Sequence, residues 1–398
     1  MFSWNRLHSG LKAIFFVQVV NRTGDFVVPF LTLILTQVQH LAPAAAGLVV
    51  TLASALGSLG GLWAGRLGDR GSRRNVLILF LGTGGLLVGA AGFAPAHAAA
   101  AVALVASGFF VGAMRPLLGA LVADMATPET RRDAFGLSYL GINIGAAVGP
   151  LLAGWFFNHA LAWMFWLDAL STACALLVLV RWVPRNTKPT TAPATNTEGG
   201  SPGSSVGAFV RHPVLVKFSL LTLAYNFVYA QMIFTLALQM VALFGTQGPP
   251  TFGLIWAVNG VGVLVLMPLV LRLTRKWTNL SSMALGMGLF AAGTAVFLFQ
   301  PDLVWVLVST LLWTAGEVFF SAQHGDLVST HSPPHLRARF QAYTGFVTGL
   351  GFMIAPVAGG LVTQTLGLTG VWVLSTVLVF LVAIGYLLLN RQQRPAVV

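Results

Sequence analysis

Three of the ten acidic side chains fall inside long apolar runs, where a carboxyl is costly and marks function. Asp25 follows Arg22 by three residues, so on a helix the two share a face and can pair. That pair suits either a structural tie between helices or a carboxyl that takes up a proton or a cationic group. Glu317, in Trp313-Thr-Ala-Gly-Glu317, lies in a run (about 302–324) that holds no lysine or arginine. A carboxyl at such depth can hold and release a proton, or be satisfied by a backbone carbonyl while protonated. Arg115 sits in Gly108-x3-Gly112-x2-Arg115-x3-Gly119, small-residue spacing that lets another helix come close. Asp168, in Phe165-Trp-Leu-Asp168-Ala, is expected to be a structural hydrogen-bonding group. A polar and aromatic stripe runs through Thr222, Tyr225, Asn226, Tyr229, Met232 and Gln239. With Asn21, Trp256, Asn259 and Trp313 it is expected to line a wet central cavity.

The elements that carry these residues are membrane spans. The 398 residues are 56% hydrophobic and 8% charged, against about 25% charged in soluble domains. Twelve apolar spans are predicted, at about 11–37, 43–64, 75–95, 98–123, 133–157, 161–183, 213–243, 250–271, 279–299, 302–324, 338–364 and 367–389. Of the 22 lysines and arginines, 20 fall at the termini or in loops on one side. The opposite loops, near 40, 96, 159, 246, 301 and 365, hold none. By the positive-inside rule both termini are cytoplasmic. The formal charge of +12 is thus a topology signal, and no folded basic face for nucleic acid is expected. Residues 184–212, rich in Pro, Thr, Ser and Gly, read as a flexible cytoplasmic linker between two bundles, 1–183 and 213–398. The halves repeat: Pro128, Arg131, Gly145, Pro150 and Gly154 recur 206 residues on as Pro334, Arg337, Gly351, Pro356 and Gly360. The fold class is an all-α membrane protein, twelve transmembrane helices in two pseudo-symmetric six-helix bundles. Cys174, the single cysteine, is expected as a small core residue. There is no phosphate-cradling G-x4-G-K-(S/T), no nucleophile elbow and no metal-ligand spacing of His or Cys. The chain therefore reads as neither an enzyme nor a cofactor protein.

Between the second and third spans stands Gly65-Arg-Leu-Gly-Asp69-Arg70-Gly-Ser-Arg73-Arg74, a charged island that reads as a tight basic turn. It resembles the G-x-L-(A/G)-D-R-x-G-R-(K/R) signature of the major facilitator superfamily. The resemblance implies a conformational latch, with Asp69 as its acid and Arg70, Arg73 and Arg74 as partners. Asp124, in Ala123-Asp-Met-Ala-Thr-Pro128 before Arg131-Arg132, matches the acid that the family pairs with those arginines. Gly141-x3-Gly145-x3-Gly149-Pro150-x3-Gly154 resembles a glycine-proline packing element typical of the family's exporters, though found more widely.

The Gly316-Glu317 pair resembles the drug:proton antiporter branch of the family, of the lipophilic multidrug type. That resemblance implies a proton-coupled secondary transporter, probing both sides of a bacterial inner membrane by alternating access. It implies export of amphipathic or cationic small molecules, and Asp25, Glu317, Arg22 and Arg115 as the proton-coupling set. Its partners are then a small-molecule substrate, protons and the lipid bilayer, and a monomer suffices. An importer of peptides or other small carboxylates is the alternative. Asn21-Arg-Thr-Gly-Asp-Phe26 is similar to the E-x-x-E-R-F of proton-dependent oligopeptide transporters but lacks both glutamates. A lipid flippase of the same fold also stays open.

Overall fold

The computed structural model describes residues 7–127, 129–185, 202–333 and 336–393, and these are almost entirely helical. Ten helical stretches among them are long and apolar enough to cross a bilayer. Two, Pro213–Lys276 and Arg339–Gln393, have 64 and 55 residues. At 1.5 Å per residue each is over ~80 Å long, against a hydrocarbon core of about 30 Å. Each therefore holds two crossings, which gives twelve. The breaks lie at Gly245 (φ 54°) and Gly367 (φ 74°), left-handed conformations that glycine adopts without a Cβ penalty.

In the first half the helices are α1 (Ser9–Thr23), α2 (Val27–Leu33), α3 (Pro43–Arg70), α4 (Arg73–Ala91), α5 (Ala98–Val111), α6 (Met114–Met125), α7 (Arg131–His159) and α8 (Leu161–Trp182). A short α9 (Pro202–Val210) precedes the second half. That half comprises α10 (Pro213–Gln231), α11 (Thr235–Phe244), α12 (Gly248–Leu273), α13 (Asn279–Ala295), α14 (Leu303–His331) and α15 (Arg337–Gln393), the last bent at Gly367.

Three spans are not continuous. The first breaks between α1 and α2, at Gly24–Phe26, and the fourth between α5 and α6, at Gly112–Ala113. The seventh breaks between α10 and α11, at Met232–Phe234. Discontinuous helices free backbone groups at membrane depth, and such groups must find partners inside the protein.

Two compact units form. The first holds the described residues up to 185 together with 244–260, the second 202–243 and those from 261 onward. In the first, Leu11, Ile14 and Val17 of α1 make an apolar stripe at helical spacing. It packs on Leu77 and Phe80 of α4, Leu117 and Leu121 of α6, and Leu179 of α8. The beginning of α12 joins this unit through Phe252, whose ring meets that of Phe30 at 5.3 Å. In the second, α10 lies along α15 and α13 along α14. Two pairs of polar side chains sealed there satisfy one another. Thr222 and Tyr386 share a hydrogen bond of 2.9 Å, and Trp372 Nε1 donates to Gln239 Oε1 at 2.8 Å.

Three expectations change. The stretch 184–212 is not linker throughout: its last part is α9, held because Phe209 packs edge-on to Phe340 at 5.4 Å and beside Tyr343 at 5.5 Å. Residues 186–201, where flexibility was expected, lie outside the described residues. Cys174 is exposed rather than a core residue. The charged island is mostly helix: α3 runs through Arg70, α4 starts at Arg73, and only Gly71 and Ser72 make the turn. Ser72 Oγ caps α4 by accepting from the Asn75 N–H.

Candidate functional site

In the first unit the site is the break in the first span. Arg22 Nη1 donates to Asp25 Oδ2, and the side chains are 30% and 18% exposed. The pairing expected from their spacing is present, but Asp25 lies outside the helix, in the break itself. The floor of the break is α7. A Cβ on Gly145 would stand 2.9 Å from the Thr23 amide nitrogen, and one on Gly149 2.8 Å from the Arg22 carbonyl oxygen. Only glycine lets the two backbones meet so closely. The wall is α8: Asp168 Oδ2 accepts from the Phe26 and Val27 N–H groups, both at 3.1 Å. Asn21 also turns to α8, donating to Thr172 Oγ1 at 3.2 Å. Arg115 is exposed, in the first turn of α6 just after the break in the fourth span.

The second unit carries Glu317 on α14. Tyr229 on α10 donates its hydroxyl to Glu317 Oε1 at 3.1 Å. Both residues are partly exposed, as is Asn226, whose Nδ2 donates to the Thr348 carbonyl at 3.1 Å. Around them stand aromatic rings: Tyr225 to Tyr229 at 6.0 Å, Tyr229 to Phe290 at 6.3 Å and Tyr225 to Phe320 at 4.5 Å.

The expected cavity set divides between the units. Trp256 and Asn259 fall in the first, with Asn259 buried and Trp256 edge-on to Phe252 at 6.3 Å. Met232 and Trp313 are fully buried and Tyr225 is 3% exposed, whereas Asn226 and Tyr229 are partly exposed. Helical spacing alone could not separate them from Asn226 and Tyr229, because both sets lie on polar-aromatic stripes. A residue that the sequence reading missed is Gln231, fully buried beside the break in the seventh span. Its Nε2 donates to the Ala355 carbonyl at 2.8 Å, and its Oε1 accepts from Thr235 at 2.6 Å.

At the charged island the structure brings together Asp69, Arg73 and Asp124. Arg73 Nη1 donates to both Asp124 oxygens, at 2.6 and 2.7 Å, and Nη2 to Asp69 Oδ1 at 2.9 Å. The ends of α3, α4 and α6 are thereby joined. Arg70 is exposed and belongs to none of these pairs. Arg74 turns away and is buried, with Nη2 donating to the Val180 carbonyl at 2.6 Å and Nε to that of Leu179 at 3.3 Å. It therefore caps the end of α8, where carbonyls lack partners within the helix and a cation meets the negative end of the dipole. Arg74→Met is expected to lower stability by about 1–3 kcal/mol, the cost of stranding the Val180 carbonyl, since that of Leu179 keeps the Val183 N–H. Thermal unfolding in detergent checks this; an unchanged midpoint would show that water replaces the guanidinium there.

Residues 14–347 and 248–397 match the family model described as Major Facilitator Superfamily. The chain belongs to the Major Facilitator Superfamily. A relative named "Uncharacterized MFS-type transporter YqjV", from Bacillus subtilis (strain 168), is 26% identical over 380 residues, covering 92% of this chain and 89% of its own. A "Na(+), Li(+), K(+)/H(+) antiporter" from Planococcus maritimus is 22% identical and covers 89% of each chain. Among solved structures, the nucleoside transporter NupG superposes with a TM-score of 0.81 at 13% identity, over 96% of this chain and 98% of its own. An auto inhibited POT family peptide transporter does so at 0.78 and 17%, over 97% and 98%. At such identities the likeness is one of fold. This Major Facilitator Superfamily protein is a multi-pass membrane transporter and not an enzyme. Membership gives a meaning to the break in its first span and to Glu317: in a transporter, charged groups at membrane depth mark the path of substrate or ion.

Proposed function

We propose that this transporter is a proton-coupled secondary exporter of amphipathic or cationic small molecules, with both termini in the cytoplasm of a bacterium and the monomer as the working unit. The observation that carries this reading is Glu317. Its carboxyl is hydrogen-bonded to Tyr229, beside aromatic faces and an amide. A carboxyl and ring faces together suit a cation with an apolar body, since both attract positive charge while the rings take up the rest. Proton and cation then compete for one carboxyl, which makes the exchange obligatory. Asp25 with Arg22 supplies a second exchanging group in the first unit, and Arg115 a further charge on the fourth span. The two halves alternate access to these groups, and the Arg73 cluster stiffens the first half at its cytoplasmic end. The name of the Planococcus maritimus relative, a cation/H(+) antiporter, points the same way.

A second reading draws on the arginines. Arg22 and the exposed Arg115 suit a carboxylate, and an importer of peptides or small acids would use them. Proteoliposomes with an imposed pH gradient separate the two. Movement of lipophilic cations opposite to protons, lost in Glu317→Gln, is the expected result. Dipeptide entry together with protons, lost in Arg115→Gln and kept in Glu317→Gln, would replace the first reading by the second.

A further inference from the structure

The first N–H groups of a helix have no partner within it, and at membrane depth no bulk water supplies one. For α2 the residue at the capping position is Phe26, which makes no side-chain cap. The missing acceptor comes from a different helix, about 140 residues along the chain. Asp168 Oδ2 takes both the Phe26 and the Val27 N–H, at 3.1 Å each. Asp168 is 9% exposed. The hold extends one turn along α8, where a Cβ on Gly24 would fall on the Ser171 side chain. With Gly145 and Gly149 of α7 on the other side, the break is clamped between two helices.

Asp25 is the residue in the middle of that clamp. Fixing the N–H groups of Phe26 and Val27 fixes the peptide that follows Asp25, and with it the direction of the Asp25 side chain toward Arg22. The titratable groups that face Asp25 are Arg22 from its own span and Asp168 from α8, while α7 presents glycines. Arg22 and Asp25 form a one-to-one pair at membrane depth, and a proton or a cationic group arriving at Asp25 must compete with Arg22 for its carboxyl.

We propose that Asp168 is a positioning residue for Asp25: by capping the broken first span from α8, it holds the Asp25 carboxyl out of the helix, where proton or cation exchange takes place. The proposal rests on the reading of Asp25 as an exchanging group. Loading of Asp25 and the shape of the break then form one equilibrium, because whatever moves the Asp25 peptide must also move the two amides that Asp168 holds.

The test needs no transport assay. In nanodiscs, hydrogen–deuterium exchange over residues 20–35 reports the cap, and the carboxyl infrared band lost in Asp25→Asn reports the state of Asp25. Asp168→Asn keeps an acceptor oxygen but cannot ionise; Asp168→Leu loses the acceptor as well, with Asp168→Ala in its place should the leucine not fold. Exchange at Phe26 and Val27 is expected to rise about tenfold or more in the leucine variant and to stay near wild type in the asparagine variant. The Asp25 midpoint in the leucine variant is expected to differ from that in the asparagine variant by about one pH unit, a tenfold change in proton affinity. Equal midpoints in the two variants would show that loss of the cap does not reach Asp25, and would overturn the proposal. So would unchanged exchange in the leucine variant. Absence of any titrating Asp25 band in the wild type would instead remove the reading of Asp25, and the proposal with it.

Discussion

Glu317→Gln is expected to collapse the substrate gradient that this transporter sustains, while leaving the protein folded and able to exchange substrate downhill. Glutamine has the same length and keeps a carbonyl oxygen for the Tyr229 hydroxyl, so the bond of 3.1 Å has a replacement and the packing around it is unchanged. What it lacks is a group that binds and releases a proton. A gradient of two pH units stores about 2.7 kcal/mol per proton, enough to hold roughly a hundredfold substrate gradient in a one-to-one exchange. In the variant that ratio is expected to fall to about one. Accumulation in proteoliposomes against an imposed gradient measures it, with downhill counterflow as the control for folding. Accumulation in the variant equal to wild type would move the coupling proton to Asp25 or to a group on neither helix. Tyr229→Phe separates the two functions of the pair. It removes a hydroxyl and leaves both the carboxyl and the ring, so the pH profile is expected to move while accumulation persists.

The membrane-spanning plan was legible because it depends on quantities that a linear sequence contains. Runs of some twenty apolar residues, with arginines and lysines in every second loop, are hydropathy and charge, and neither needs a partner. The breaks at Gly24–Phe26, Gly112–Ala113 and Met232–Phe234 were not legible: the polar residues near the first two, Asn21 to Asp25 and Arg115, can equally stand on an unbroken helix, and the third sits in an apolar stretch. Their cause is elsewhere in the chain. Asp168 shows this most plainly: a structural hydrogen-bonding role was foreseen, but its donors are two backbone amides of the first span, which only the folded protein brings to it. The aromatic stripe shows a different limit. Tyr225 and Tyr229 are one turn apart, yet the first is packed against Phe320 and Phe290 while the second reaches the Glu317 carboxyl. Periodicity assigns both to one side of the helix and says nothing of what stands opposite.

The internal repeat carries one further lesson. At the shared offset of 206 residues Asp25 corresponds to Gln231, and both stand at the break in the first span of their half. In the second half the position is an amide, with donor and acceptor both engaged inside the unit. The carboxyl of that half is on α14 instead. The two halves thus retain the same backbone discontinuity but put their acids on different spans, so a repeat visible in glycines and prolines does not extend to the chemistry.

Loss of Arg73 is expected to be the most destabilising single change at the charged island, well beyond loss of either acid it binds. The asymmetry follows from burial. The Asp124 side chain is 6% exposed, that of Arg73 23% and that of Asp69 69%. Arg73→Met takes from the buried Asp124 carboxylate its two-pronged partner, a loss of up to about 3–5 kcal/mol. Asp124→Leu leaves a guanidinium that still reaches solvent and Asp69, so the cost is smaller. Asp69→Asn removes a pair that is largely in water, worth at most about 1 kcal/mol and less in salt. The expected order of unfolding temperatures in detergent is therefore Asp69→Asn highest, then Asp124→Leu, then Arg73→Met. Combining Arg73→Met with Asp124→Leu is expected to recover most of the loss, because an apolar pair of similar size needs no solvation. If the double variant were no more stable than Arg73→Met alone, the buried carboxylate would not be the source of the cost. Arg73 would then act chiefly through α3 and Asp69, and the joining of α4 to α6 would have to come from the apolar contacts of Leu77 and Leu117.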